Sequence, residues 1–101
     1  MKIRFSLRGM ERYDALLAAI QAQNPLAADR MVIAVDRALR RLKRFPLSGS
    51  WVREFPHLSL RQIIVGSYRF FYVVSERNNV VVILDAWHVA QIPDEPQLPA
   101  P

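Results

Sequence analysis

The chain has 101 residues, 14 of them Lys or Arg against nine Asp or Glu, for a net charge of +5, and 51% of it is apolar. That length suits one domain with a single core burying roughly two thirds of the unfolded-chain surface, and leaves no room for a second. The absence of cysteine excludes disulfides and thiolate metal sites. No run approaches the ~20 apolar residues of a spanning helix and the start "MKIRFSLRGMERYD" has no signal-peptide core, so a cytoplasmic protein with no membrane association is expected.

Lys2 to Leu7 alternates, with Ile3, Phe5 and Leu7 on one side, and predicts a strand. Tyr13, Leu16, Leu17 and Ile20 then fall at i, i+3, i+4 and i+7, predicting a helix of about 13 residues that ends near Gln23. Asn24 is a good N-cap and Pro25 suits the first helical position of a second helix, whose Ala28, Met31, Val32, Val35, Leu39 and Leu42 line one face up to Phe45 before Pro46 stops it. So short a link predicts an antiparallel helix hairpin. The outer face of the second helix carries Arg37, Arg40, Arg41, Lys43 and Arg44, with Asp36 spaced to pair with Arg40. Residues 1–50 hold ten Lys or Arg against four Asp or Glu, a field that suits a nucleic acid or an acidic protein segment as well as plain solvation.

"PLSGSWVREFPH" reads as a loop from which Trp51, Val52 and Phe55 tuck back onto the body. In "LRQIIVGSYRFFYVV" two strand-like runs meet at Gly66-Ser67, a link whose leading glycine suits a type II′ turn. The register then pairs Val65 with Tyr68, Ile63 with Phe70 and Arg61 with Tyr72 on one face, and Ile64 with Arg69 and Gln62 with Phe71 on the other. The first face is the more apolar and is assigned to the core, with Arg61 at its rim reaching for solvent or a carboxylate. The second reads as a half-wet surface that meets a partner. Val80 to Trp87 predicts a third antiparallel strand, interior to the sheet. "IPDEPQLPAP" has four prolines in ten residues and is expected to be an extended tail that adds little stability. The fold class is therefore α+β in the order βααβββ, with an N-terminal strand and an antiparallel helix hairpin on a small, mainly antiparallel sheet. The domain spans residues 1–91 and the tail 92–101.

Of the residues able to carry chemistry, His57 sits in a loop beside Pro56 and reads as a surface histidine. The two histidines lack the carboxylate or cysteine spacing of a metal site. Trp87, at a strand end, suits a core aromatic or an interface anchor. Arg61 and Arg69 suit stacking on Tyr72 and Phe71 or pairing with Glu54 and Asp85, and Arg69 on the mixed face equally suits a functional contact.

The helix entry "NPLAADRMV", the stop "LKRFPLSG", the hairpin "LRQIIVGSYRFFYVV" and the strand "VVVILDAWH", in one order over residues 1–90, together resemble the ParE branch of the RelE/ParE toxin superfamily. The resemblance implies the toxin of a type II toxin–antitoxin pair with roles in growth inhibition and plasmid stabilisation, neutralised in a hetero-oligomer by a cognate ParD-like antitoxin that is acidic and partly disordered. RelE-like members cleave messenger RNA on the ribosome; ParE-like members act on DNA gyrase. RelE-like sites use lysines on the second strand, the arginine of a Tyr-Arg pair, and an arginine and a tyrosine after the last strand. Here only Arg69 in "YRFFY" carries over: Leu60 to Gly66 has no lysine, and nothing beyond His88 is Arg or Tyr. The implied function is gyrase inhibition by binding, with no cofactor, no metal and no sequence-specific nucleic-acid binding. Arg69, Gln62, Trp87 and His88 form the expected target surface, and Arg37, Arg40, Arg41 and Arg44 the expected antitoxin surface. The alternative is a ribosome-dependent mRNA endonuclease using Arg69 and His88 as catalytic residues, imidazole being suited to proton transfer near neutral pH. A relative that has lost toxicity is a third possibility.

Overall fold

The computed structural model of the chain describes residues 1–98. Ser6 divides the first strand from the first helix: its backbone is extended and its hydroxyl accepts the Gly9 N–H at 3.0 Å, the geometry of an N-cap. Strand β1 therefore covers Lys2–Phe5, and helix α1 runs Leu7–Gln23, 17 residues rather than the expected 13. Leu7, which alternation places in the strand, is an exposed residue of the first helical turn. Asn24 caps α1 at its C-terminus and α2, Pro25–Arg44, at its N-terminus, where its side chain accepts the Ala27 N–H at 3.1 Å. One residue thus joins the two helices of the hairpin.

The strands that follow are β2 (Ser50–Trp51), β3 (Arg61–Val65), β4 (Tyr68–Ser75) and β5 (Val80–His88), in the spatial order β1-β5-β4-β3-β2. Strand β5 is interior as expected, parallel to β1 and antiparallel to β4. The β3–β4 hairpin has the predicted register at all five pairs, and Gly66 turns it with φ +59°. Strand β2 lies in the stretch read as loop. Two residues carry no periodicity, and it forms by laying Trp51 and Ser50 against Arg61 and Gln62.

Each face of the sheet has its own core. Towards the helices, Val65, Phe70, Tyr72, Val81, Ile83 and Ala86 pack with Val35 and Leu42, and Tyr13, Leu16 and Leu39 flank them. Val32, expected in this stripe, is exposed. On the far face Phe71, Val80, Val82, Leu84 and Trp87 are buried under Val52, Phe55, Leu58 and Leu60. This corrects the expectation of a half-wet surface, because residues 52–60 fold back as a cover. Trp51 does not join them and remains exposed.

Strand β5 contains one irregularity that governs everything beyond it. Phe71 pairs with Asp85 but Tyr72 with Ile83, so Leu84 is an extra residue against β4. Before it, Val81 and Ile83 face the helices; after it, Ala86 does. The parity of the strand has switched. At the same point α1 crosses β5 closely enough that a Cβ on Gly9 would overlap the Ile83 carbonyl oxygen. The tail is extended as expected, but Pro93 and Pro96 are buried and Glu95 pairs with His57, while Ile92 stays exposed. The part of the expected tail beyond Leu98 lies outside the described residues.

Gly9→Ala decides between two effects of opposite sign. Helix propensity alone would stabilise by about 1 kcal/mol, whereas forcing α1 off β5 costs about 1 to 3 kcal/mol. Urea unfolding should show net destabilisation; a gain would mean that the close approach is not needed.

Candidate functional site

The far-face ends of β4 and β5 bring together three of the four residues of the expected target surface. Arg69 stands opposite Trp87 across the ladder, and β3 supplies Gln62. The Arg69 guanidinium makes three hydrogen bonds within the chain: Nη1 and Nη2 donate to the two Glu54 carboxylate oxygens at 2.7 and 2.8 Å, and Nε donates to Gln62 Oε1 at 2.7 Å. It also lies 4.9 Å over the Phe71 ring. Residue Arg69 is 8% exposed, so its charge is desolvated and met by a bidentate carboxylate. The Arg69 hydrogen bonds hold the Glu54 carboxyl below its ordinary range, outweighing the opposing effect of burial.

Trp87 is buried, its indole Nε1 has no hydrogen-bond partner among the described residues, and the Arg12 guanidinium covers its ring at 4.2 Å. Arg12 also reaches Asp85 Oδ1 at 3.2 Å, Arg8 reaches Oδ2 at 3.1 Å, and the Ala86 N–H donates to Oδ1 at 2.9 Å. Asp85 therefore pairs with α1 and not with Arg61 or Arg69. Sequence reading missed Arg8 and Arg12. The available signal was that Asp85 is the one acidic residue within any strand among the described residues, and that an acid so placed needs cations.

His88 is elsewhere. Beyond the extra residue it pairs with Tyr68 on the helix side, its ring edge-on to the tyrosine at 5.3 Å. Its Nδ1 accepts the Ala90 N–H at 3.0 Å, which leaves the neutral ring's proton on Nε2. Arg69, Gln62 and Trp87 thus form one cluster, and the sheet separates His88 from it. Arg61 sits at the rim without a carboxylate: it donates to the Gly49 and Leu47 carbonyls at 2.9 and 3.2 Å and stacks 3.9 Å from the Trp51 ring centroid. Arg37, Arg40, Arg41 and Arg44 all stand exposed on α2, with Arg40 paired to Asp36 at 3.0 Å as its spacing predicts. Exposed Val32, Ile33, Phe45 and Leu47 interleave with them. Among the described residues, no helix is long and apolar enough to cross a membrane, and no three His, Cys, Asp or Glu side chains converge as a metal site would require.

The chain is thus a two-helix hairpin packed on a five-stranded mixed sheet, with a basic outer helix face. Residues 3–93 match the family described as the ParE toxin of the type II toxin–antitoxin system parDE, and the chain belongs to that family. Among solved structures it is similar to the chromosomal ParDE system of P. aeruginosa, with TM-score 0.67 and 15% identity over 87% of this chain and 95% of that one. It is similar also to the toxin–antitoxin complex RelBE2 of Mycobacterium tuberculosis, with TM-score 0.60 and 23% identity over 86% and 95%. At these identities the likeness is one of fold. No curated protein matches the chain.

The Glu54–Arg69 pair carries a pH signature. Because the Glu54 carboxyl is lowered in the fold from its ordinary 4.5, the pair adds stability above that value and loses it as pH falls through the depressed one. Urea midpoints measured between about pH 7 and pH 3 should fall less steeply at the acid end in Glu54→Gln than in the parent. Equal slopes would show that the carboxylate is not coupled to folding.

Proposed function

We propose that this protein is the toxin of a type II pair, that it inhibits DNA gyrase by binding without a reaction of its own, and that an acidic, partly disordered ParD-like antitoxin neutralises it in a hetero-oligomer. The observation that carries the reading is the separation of Arg69 from His88 by the sheet. Message cleavage by 2′-hydroxyl attack needs a proton acceptor, a proton donor and cations converging on one phosphate. Here the arginine is already met by Glu54, the histidine lies on the other face, and β3 has no lysine.

The antitoxin surface is proposed at the outer face of α2, where Arg37, Arg40, Arg41 and Arg44 steer an acidic segment and the interleaved apolar residues hold its hydrophobic side. The target surface is proposed at Gln62, Arg69 and Trp87; His88, expected to join them, lies on the helix side of the sheet. Arg69 and Trp87 are buried as the chain stands, so they offer a target only their edges.

Two parallel assays test the function: supercoiling by purified gyrase and message cleavage on ribosomes. The protein should inhibit the first and leave messages intact. Arg69→Ala should weaken inhibition by roughly 1 to 4 kcal/mol, the range for an interface arginine, with His88→Ala nearly silent. Arg61→Ala is the control, acting through stability alone by about 1 to 2 kcal/mol. Messages cut by the parent and spared by His88→Ala, with gyrase untouched, would install the ribonuclease reading instead. For the antitoxin, co-expression with the adjacent short reading frame should yield a complex with a raised melting temperature, since a ligand of the folded state alone shifts unfolding. A soluble, harmless monomer indifferent to that product would remove the toxin reading.

A further inference from the structure

The far face of the sheet is covered by residues 52–60, and the C-terminal segment reaches that cover through Glu95 and His57. From Pro93 to Leu98 burial repeats every third residue: Pro93 and Pro96 are buried, while Asp94, Glu95, Gln97 and Leu98 are exposed. Three residues per turn is the period of a polyproline II helix, so the two proline rings share the face turned to the body and the acids point away from it. From this segment Glu95 reaches His57, with Nε2 and Oε1 2.5 Å apart. The His57 ring stands edge-on to Phe55, which packs on the far-face core, and the residue before Phe55 is Glu54, the partner of Arg69. The tail, the cover and the arginine are thus connected over a few residues.

The strength of this connection indicates its use. The His57 and Glu95 side chains are 60% and 54% exposed, and a polar contact so open to water adds little. A proline-rich segment is already extended and loses little freedom on docking, so two buried rings can hold it at a small entropic cost. Such a fastening closes readily and also opens readily. A main-chain strand or a large apolar contact would be permanent.

We infer that residues Pro93–Pro96 are a releasable strap over the 53–58 segment, and that its release frees Glu54 from Arg69, so that the Arg69 fork accepts a carboxylate side chain of a partner protein. The bidentate grip on Glu54 already demonstrates that a carboxylate fits the fork. Arg8 and Arg12, sharing the single Asp85 along the same edge, leave a positive excess that favours an acidic visitor. The strap stands on the geometry alone; its effect on gyrase rests on the far face being the target surface proposed above.

The test uses the full chain and two surface variants, Glu95→Gln and the pair Pro93→Ser with Pro96→Ser. Amide hydrogen exchange at residues 53–58 should quicken by about tenfold in both, with the amides of β4 and β5 unchanged, because only a local opening is made easier. The charge exchange His57→Glu with Glu95→Lys should restore the protection. Gyrase inhibition should require severalfold less of the released variants. Unchanged exchange at 53–58 in both variants would overturn the strap. Faster exchange with unchanged gyrase inhibition would uphold the strap and count against the target surface.

Discussion

Asp85 is fully buried where β5 takes its extra residue against β4, and its carboxylate accepts hydrogen bonds from Arg8 and the Ala86 N–H and forms an ion pair with Arg12. A carboxylate with no solvent is tolerated only when it is met in this way, and stranding one typically costs about 3 to 5 kcal/mol. The two arginines, Arg8 and Arg12, lie one turn apart on α1, so the acid also anchors that helix to the sheet. The close seat of Gly9 on Ile83 permits the anchorage, and the bulge at Leu84 aims the acid at it. From there the alternation of β5 runs in the opposite sense. Ala86 and His88 turn to the helices, Trp87 turns to the far face, and the far-face arginine is left without the histidine as a neighbour.

The second dependence is the cover of residues 52–60. A two-strand antiparallel edge with a polar outer face would leave Arg69 in water, where an ion pair contributes little; the exposed Asp36–Arg40 pair, with side chains 60% and 78% open, is of that kind and adds about 0.3 to 0.5 kcal/mol. The Arg69–Glu54 fork is short and bidentate, buried at the Arg69 end and 38% open to water at the Glu54 side chain, so solvent screening brings each charged hydrogen bond below the about 1.5 to 3 kcal/mol of a buried one. Arg69 is therefore held within the chain by Glu54 and Gln62. A surface whose main cation is satisfied internally suits recognition, in which one carboxylate replaces another, better than charge stabilisation on a phosphate.

Local chemistry made much of this legible. Asn24-Pro25 and Pro46 bound α2, the Gly66-Ser67 link set the hairpin register, and the i, i+4 spacing gave the Asp36–Arg40 pair. Elements that depend on distant partners escaped. Leu7 continues the alternation of β1, but Ser6 caps a helix there, and a cap competes well with a pattern only three apolar residues long. Ser50-Trp51 is a strand only because β3 is beside it. The bulge is the most consequential omission. Val80 to Trp87 reads as an unbroken apolar run, and simple alternation would set His88 on the side of Val82 and Leu84, with Arg69. A run that is apolar on both faces gives no periodic signal from which an added residue could be seen.

The sorting of side chains by the bulge is the claim on which the functional reading depends, and proton NMR of the protein tests it directly. The His88 ring should show nuclear Overhauser contacts to the Tyr68 ring and none to Phe71 or Arg69, while the Trp87 indole should show contacts to Arg12 and to residues of the far-face core. Contacts between His88 and Phe71 or Arg69 would mean that β5 continues without its extra residue, and would return the two candidate catalytic groups to one face.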